Sequence, residues 1–396
     1  MERVLVIGFN ARPIAVQAKK CGFKVFAVDY WGDVDIYGWV DDIVVLKDYV
    51  KAGSDLAELT VKFSEQMARK HGVDGVLVGS GLDDRWECLS RLERVAPIIG
   101  NKPSKVREVR SKLEVYEKVK REGIMVPETF LVESRKEAVR ASREIGFPVI
   151  VRREAGGGGL GIHLAHNERE VEQKFSQLKG KGRVLVQEYI AGDDVSASVL
   201  CTGKKAVTVT VNRQLIGVSW LGGREFVYCG NIVPHEKEEI RRRVSEAAEK
   251  ICRSLSVLGC NGVDFVVRGG QPVFMEVNPR FQGTLECVSM VTGMNIVREH
   301  INACQGRVPS KISVKGFAVK NIVFAKENCV IPDLHGIPFL FDITQPRSLV
   351  EEGEPICSVQ LACLKLEECI RRAKKVVVEV YSKIDEYNKK CGGMGV

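Results

Sequence analysis

The stretch that most constrains this chain runs from Gly262 to Arg280 and reads Gly-Val-Asp-Phe-Val-Val-Arg-Gly-Gly-Gln-Pro-Val-Phe-Met-Glu-Val-Asn-Pro-Arg. Two runs rich in valine and phenylalanine flank Arg268 to Pro272, so it reads as a β-hairpin with a glycine turn. Side chains two apart on a strand leave from one face. Glu276 and Asn278 therefore point the same way, and pairing of the strands brings Asp264 within their reach. Three oxygen donors on a rigid hairpin suit magnesium, which keeps several waters and completes its shell from substrate phosphates. Arg280 adds a planar cationic fork of the kind that holds a phosphoryl group in transit. The plainer reading is that these are the solvated ends of an ordinary hairpin, and the hairpin alone does not separate the two.

At 396 residues the chain is too long for one ordinary core, so two or three domains are expected. A hydrophobic content of 45% beside 28% charged residues is that of a folded soluble protein. The net charge of +8 is dispersed among acids, which suits small anionic ligands and argues against a nucleic-acid partner. Met1-Glu2-Arg3 leads straight into a strand and no apolar run reaches spanning length, so no signal peptide and no membrane partner are expected, and the expected compartment is the cytoplasm. The 13 cysteines include no Cys-x-x-Cys and mostly sit in apolar runs, as Cys201, Cys260 and Cys287 do. They read as small hydrophobes.

From the N-terminus, Val4 to Ile7, Lys24 to Val28, Ile43 to Leu46 and Gly75 to Val78 read as strands that alternate with helices through Val16 to Cys21 and around Leu56 to Lys70. That alternation predicts a parallel, doubly wound sheet. Asp29 ends the second strand where a dinucleotide fold places its ribose acid, but the first turn, Gly8 to Pro13, lacks the further glycines a pyrophosphate needs. The loops at the carboxyl ends of these strands carry Asn10, Arg12, Asp83, Asp84 and Arg85, polar groups suited to a charged acceptor substrate or, more plainly, to helix caps.

Pro97 to Pro103 reads as a linker, followed by one helix from Ser104 with Lys112 near its middle, stopping at Gly123, and by the strand entry Ile124 to Pro127. Gly156 to Gly161 fits G-x-G-x-x-G, but Ile162 to Ala165 reads as a strand and not as the helix that a dinucleotide fingerprint requires. The glycines therefore form a hairpin tip, a flap whose bare amides can fold over phosphates. Val184 to Asp194 is a strand with a polar end, and Val195 to Leu200 with Ala206 to Val211 forms a β-pair. Leu221 to Pro234 carries no standard chemistry, and His235 reads as a helix-start residue ahead of an amphipathic helix from Glu236 to Leu255. From about residue 312 the chain becomes a small β-rich unit closed by a helix from Leu366 to Tyr381.

Taken in order, the Lys112 helix with its Gly-Ile-Met-Val-Pro exit, the glycine loop, the Gln187-Glu188-Tyr189-Ile190 strand end and the Asp264 to Arg280 hairpin resemble the ATP-grasp superfamily. Within it they resemble the archaeal and bacterial predicted carboligases related to biotin carboxylase. The resemblance implies an α/β and α+β fold: a Rossmann-like pre-ATP-grasp domain over residues 1–103, a two-lobed ATP-grasp domain over 104–306 with a flap lobe to about 185 and a metal lobe beyond, and a β-rich capping domain over 307–396. It implies that Asp264, Glu276 and Asn278 bind magnesium on ATP, two ions in the family, with manganese also admissible, and that Arg280 contacts phosphate or substrate. Lys112 would reach the phosphates, and Arg152 stands where the family usually has lysine, which keeps the charge but not the geometry. Gly157, Gly158 and Gly159 would cover the phosphates. Gln187 and Glu188 would face the adenine amine, Tyr189 and Ile190 would offer backbone contacts, and Asp194 would take the ribose where glutamate is commoner.

The implied activity is an ATP-dependent ligase that phosphorylates a substrate carboxylate to an acyl phosphate and couples it to an amine or thiol, releasing ADP and phosphate. Arg280 and Arg152 would be its catalytic cations, its partners small-molecule carboxylate and amine substrates, and a homodimer is compatible with the pattern. The alternatives are a bicarbonate-activating carboxylase of the biotin-carboxylase or purine-biosynthetic kind and, from another class, a regulatory ATP-binding protein without turnover.

Overall fold

The computed structural model describes residues 1–159, 161–180 and 182–392. Strands Arg3–Gly8, Lys24–Asp29, Asp42–Val45 and Gly75–Val78 form a parallel sheet in the order third, second, first, fourth. Its strands are apolar throughout because both faces are covered. Val4 and Val6 face helix Arg12–Lys20, whereas Leu5 and Ile7 face helices Leu56–His71 and Trp86–Glu93.

The segment expected to be a linker is pinned. Ile98 bridges to Val76 at the sheet edge, and buried Asn101 donates to the carbonyls of Leu258 and Pro279 at 3.0 and 3.1 Å and accepts from the Leu258 N–H at 2.8 Å. The helix expected from Ser104 to Gly123 is two helices, Pro103–Arg110 and Lys112–Arg121, broken at Ser111 by a non-helical ψ of 82°. Lys112 thus opens a helix instead of sitting in the middle of one. Propensity favours a continuous helix, and tertiary contacts made by residues on both sides of Ser111 override it.

Strands Thr129–Val132, Val184–Glu188, Val149–Arg153 and Ile162–Ala165 form an antiparallel sheet, packed under helices Arg135–Ile145 and Glu168–Leu178. The glycine loop is the turn between Val149–Arg153 and Ile162–Ala165, as expected, although Leu160 within it lies outside the described residues.

The largest sheet has eight strands, ordered in space Gln271–Asn278, Leu258–Arg268, Asp193–Thr202, Ala206–Ile216, Tyr228–Val233, Phe317–Phe324, Pro355–Cys363 and Leu340–Phe341. It runs without interruption across the boundary expected at residue 306, because Tyr228–Val233 pairs antiparallel with Phe317–Phe324. The C-terminal region packs under helix Leu366–Gly392 in an apolar cluster that it shares with Leu221, Cys229 and Ile232, and among the described residues it has no separate large sheet.

The two faces of this sheet differ in chemistry. Val195, Ala197, Val199, Val263, Phe265, Phe274 and Val277 pack beneath helix Glu238–Ser254. On the opposite face, Glu276, Asp264, Ser196 and Asn212 stand directly across from one another on four strands, and the row continues through Gln214, Asn231, Lys320 and Gln360. Buried polar groups are costly unless paired, so a polar row under cover marks the working face.

Candidate active site

The hairpin forms in the expected register, with Asp264 opposite Glu276 and Gly262 opposite Asn278. Its turn is Gly269-Gly270, both left-handed with φ of 57° and 79°, the requirement of a two-residue turn that matches strand twist. The register shifts between Asp264 and Phe265 and leaves Met275 as an extra residue. Such a bulge re-aims side chains. Phe274 goes to the apolar core while Glu276 stays on the polar face beside Asp264 and Asn278.

Cations converge on Glu276. Lys112 Nζ lies 3.1 Å and Arg152 Nη2 3.9 Å from its carboxylate, and Lys112 also donates to the Met275 carbonyl at 3.3 Å. Burial alone would raise the Glu276 pKa, but Lys112, Arg110 and Arg152 together hold it well below the usual carboxylate range. Lys112 is driven the other way, to about 8, by burial and by the charge of Arg152, against the pull of Glu276. Asp264 is raised to about 7 by burial and by the neighbouring Glu276 charge. Its oxygens accept from Asn278 at 2.8 Å and Gln214 at 3.1 Å. Arg280 Nε is held by Asp83 at 2.8 Å, and its Nη2 donates to Asn278 Oδ1 at 3.3 Å.

Lys112, Arg152, Asp264, Glu276, Asn278 and Arg280 therefore come together. Arg110, Asp83 and Asp84 join them. Arg110 was not singled out in the sequence, because residues 110 and 112 of one continuous helix would face roughly opposite ways. The break at Ser111 turns both toward Glu276. Burial works against the Arg110 charge, yet Glu276 and Asp84 more than offset it and raise its pKa. Asp83 and Asp84, read in the sequence as acceptor-binding loop residues, are instead occupied by Arg280 and Arg110. Arg85 is elsewhere, paired with Asp55 at 2.8 Å, and Asn10 and Arg12 belong to a second cluster.

The base of the glycine flap is tied to this group. The Gly156 N–H donates to Asp84 Oδ2 at 2.7 Å, its carbonyl accepts from Arg110 Nη2 at 3.0 Å, and Arg110 Nε donates to Asp84 Oδ1 at 2.6 Å. Gly158 and Gly159 are left-handed, with φ of 65° and 82°, and Gly159 lies against the Phe226 backbone with no room for a Cβ. Gly157 has neither a positive φ nor a close neighbour, so this conformation alone does not demand glycine there.

At the strand end, Gln187 and Glu188 are successive residues, and their side chains leave on opposite faces, so both cannot present side chains to one purine. Buried Gln187 donates to Tyr116 Oη at 3.0 Å and Thr129 Oγ1 at 2.9 Å, whereas Glu188 pairs with Arg268 at 2.7 Å. Tyr189 is partly exposed, and Ile190 packs with Val266 and Val273 against Met275. Val266 lies on the Glu276 face two residues from Asp264, so this apolar strip is a floor beside the carboxylate pair. Asp194, opposite Val266, is raised to about 6 by burial and by Asp193. His235 Nδ1 accepts from the Lys237 N–H at 3.1 Å in the turn ahead of helix Glu238–Ser254, whose N-cap is Lys237.

A sheet with one polar working face, an opposed carboxylate pair and a glycine flap above it define a nucleotide-dependent phosphoryl-transfer fold. Residues 109–284 match the family model of the ATP-grasp domain. The chain is 26% identical over 397 residues to the uncharacterized protein MJ0776 of Methanocaldococcus jannaschii, covering 98% of this chain and 93% of that one. It is 27% identical over 239 residues to the carbamoyl phosphate synthase large chain of Vibrio vulnificus, covering 59% of this chain but only 22% of that one. Among solved structures, a β,γ-ATP complex of biotin carboxylase from Campylobacter jejuni superposes with a TM-score of 0.75 at 19% identity, over 94% of this chain and 89% of that one. Among the described residues no helix is long and apolar enough to cross a membrane, and the 12 cysteines described are free.

The donor set fits magnesium. Two carboxylates and an amide oxygen supply hard ligands but no group of three or more His, Cys, Asp or Glu among the described residues. Burial and the adjacent Glu276 charge hold the Asp264 carboxyl up at about 7, and a divalent ion between the two carboxylates would favour its ionised form.

Proposed function

We propose that this protein is an ATP-dependent, ADP-forming carboxylate–amine ligase. The observation that carries the reading is the convergence of Lys112, Arg110, Arg152 and Arg280 on one carboxylate-bearing hairpin beneath a glycine flap. Four fixed cations around two opposed carboxylates suit a terminal phosphoryl group in transfer, where catalysis is mainly positioning and neutralisation of its oxygens. Asp264, Glu276 and Asn278 would hold magnesium, two ions with manganese able to substitute, and the metal when bound neutralises charge between adjacent phosphates. Arg152 and Arg280 would neutralise the oxygens of the migrating group, and Lys112 would be released from Glu276 toward the phosphates. The adenine would lie on the Ile190, Val266 and Val273 floor with the Tyr189–Ile190 backbone and Gln187 at its edge, and Asp194 would take the ribose. The flap at Gly157 to Gly159 would close over the phosphates and exclude water. No protein nucleophile is required, since the acid's own oxygen attacks and the acyl phosphate is then captured by the amine. The same reading places the enzyme in the cytoplasm, acting on small molecules and binding neither nucleic acid nor membrane.

The test is turnover with MgATP and pooled acids and amines. ADP and phosphate must appear only when both pools are present, and oxygen-18 from the acid must end in phosphate. ADP formation driven by bicarbonate alone would reassign the protein as a carboxylase, AMP with pyrophosphate would exclude the acyl phosphate, and tight ATP binding without turnover would make it a sensor.

A further inference from the structure

The second buried cluster surrounds Arg12. It lies at the carboxyl ends of the first two parallel strands, where open α/β sheets bind ligands, and it is closed by the far end of the eight-stranded sheet. Arg12 Nε lies 2.6 Å from Asp342 and 3.2 Å from Asp35, and its Nη2 lies 2.6 Å from Glu286. Lys320 Nζ reaches Asp342 at 3.2 Å. Asp29 and Asp33 complete the group, so two cations face five carboxyl groups. Asp33 is 5% exposed, and burial together with the neighbouring Asp342, Asp29 and Asp35 charges holds its carboxyl well above the usual range.

Two amide oxygens in the cluster are also buried without a partner, Gln360 Oε1 and Asn10 Oδ1. Gln360 is 1% exposed, and its nitrogen donates to Glu286 Oε2 and Ser358 Oγ, each at 2.9 Å. The Asn10 nitrogen donates to Asp342 Oδ1 at 2.9 Å. Flipping either amide would turn its oxygen onto a carboxylate, so the free oxygens are fixed in place. The two free amide oxygens are acceptors, while Arg12 turns Nε, Nη1 and Nη2 onto Asp342 and Glu286 and Lys320 turns its Nζ onto Asp342. Buried acceptors left empty are costly, and a ligand that fills them must bring N–H donors and positive charge. The cluster opens at Asp35, whose side chain is 25% exposed. It shares a sheet face with Asp264 through Gln214, Asn231 and Lys320.

We propose that this acidic basin binds a cationic group, ammonium or guanidinium, at the far end of the acceptor substrate, an assignment of substrate class that rests on the ligase reading above.

The experiment is calorimetric titration of the full chain, with and without MgADP, using putrescine and agmatine as cations, 1,4-butanediol as the neutral isostere and succinate as the anion. The expected result is saturable binding of a cation at least about tenfold tighter than the diol, with no binding of succinate, weakened about tenfold by Asp33→Asn and unchanged by Glu276→Gln. Asp33→Asn removes a carboxylate that makes no ion pair, so Arg12 keeps its partners. Should that variant fail to fold, the wild-type contrast between cation and diol decides. Equal affinity for the diol, no binding of either cation, or binding lost in Glu276→Gln but kept in Asp33→Asn would each overturn the proposal. Cation binding without ADP formation from any acid and amine would instead sink the ligase reading and leave the basin standing.

Discussion

At one end of the polar sheet face, three cations, Lys112, Arg110 and Arg152, act on the single carboxylate of Glu276. At the other, three carboxylates, those of Asp35, Asp342 and Glu286, act on the single guanidinium of Arg12. The two clusters are built from the same residue types under similar cover, yet one leaves donors over and the other leaves acceptors. That difference sorts their ligands. A surplus of donors suits a polyanion and a surplus of acceptors suits a cation, so on the two proposals above one face would hold a nucleotide at one end and an amine-bearing acceptor at the other.

The largest effect should come from breaking the acidic end. Arg12→Met keeps much of the volume but leaves three largely covered carboxylates without their guanidinium, and removing one member of a buried charge group costs about 3–5 kcal/mol. Urea unfolding should show a midpoint lowered accordingly. An unchanged midpoint would mean that the acids are solvated in solution and that the mirror relation is only apparent.

A buried histidine ties the strand of Asp264 to the N-terminal unit. His300 Nδ1 accepts from the Cys260 N–H at 2.8 Å and its Nε2 bonds the Ile99 carbonyl at 2.9 Å, joining the N-terminal connection to strand Leu258–Arg268. Burial lowers its pKa to about 4, with the Ile99 bond opposing. The unfolded chain takes up the proton first, near pH 6.5, so stability is full above that value and falls as pH drops toward 4, by about 3 kcal/mol in all. A His300→Gln variant should lack this slope. If wild type and variant share one pH profile between 6.5 and 4, the ring is not held neutral.

At the donor end, Glu276→Gln removes the carboxylate on which three cations converge and which would hold magnesium. ADP formation should fall by at least about a hundredfold with the fold intact by circular dichroism. Near-normal turnover would remove Glu276 from the mechanism and leave the cation cluster as a structural knot.

Much of this was legible in the sequence. The hairpin register followed from alternation and a glycine pair, which fix strand pairing locally. The bulge at Met275 did not, because an extra residue changes no period that a short strand displays. Arg110 was hidden by reading one helix through Ser111, where a tertiary pull on Lys112 decides the break. The continuation of the large sheet past residue 306 was hidden for a different reason: an alternating pattern in Phe317–Phe324 announces a strand but not its partner, which lies in Tyr228–Val233. Asn10 and Arg12 were visible as polar loop residues suited to an acceptor, whereas Glu286 and Asp342, which decide the sign of their cluster, come from the far end of the chain.

The smallest expected effect concerns how the donor end is tied to its flap. Asp84, Arg110 and the Gly156 backbone form a closed ring of three hydrogen bonds, and Arg110 also faces Glu276. A loop anchored in this way is held beside Arg110 by a residue of the turn after strand Gly75–Val78, so on the proposed reading part of its ordering would be complete before nucleotide arrives. Asp84→Asn keeps one acceptor but weakens a charge-assisted bond to Arg110. The half-saturating ATP concentration should rise about tenfold with a smaller change in maximal turnover, because the loss falls on positioning and not on the charges that meet the phosphates. Without nucleotide, proteolysis between residues 154 and 162 should be faster in the variant, and MgATP should slow it in both proteins. If cleavage rates match and ATP dependence is unchanged, the ring is incidental and the flap is ordered by nucleotide alone. If maximal turnover falls while half-saturation holds, Asp84 acts through Arg110 on the chemical step, and the contrast between the two clusters then extends to the transition state.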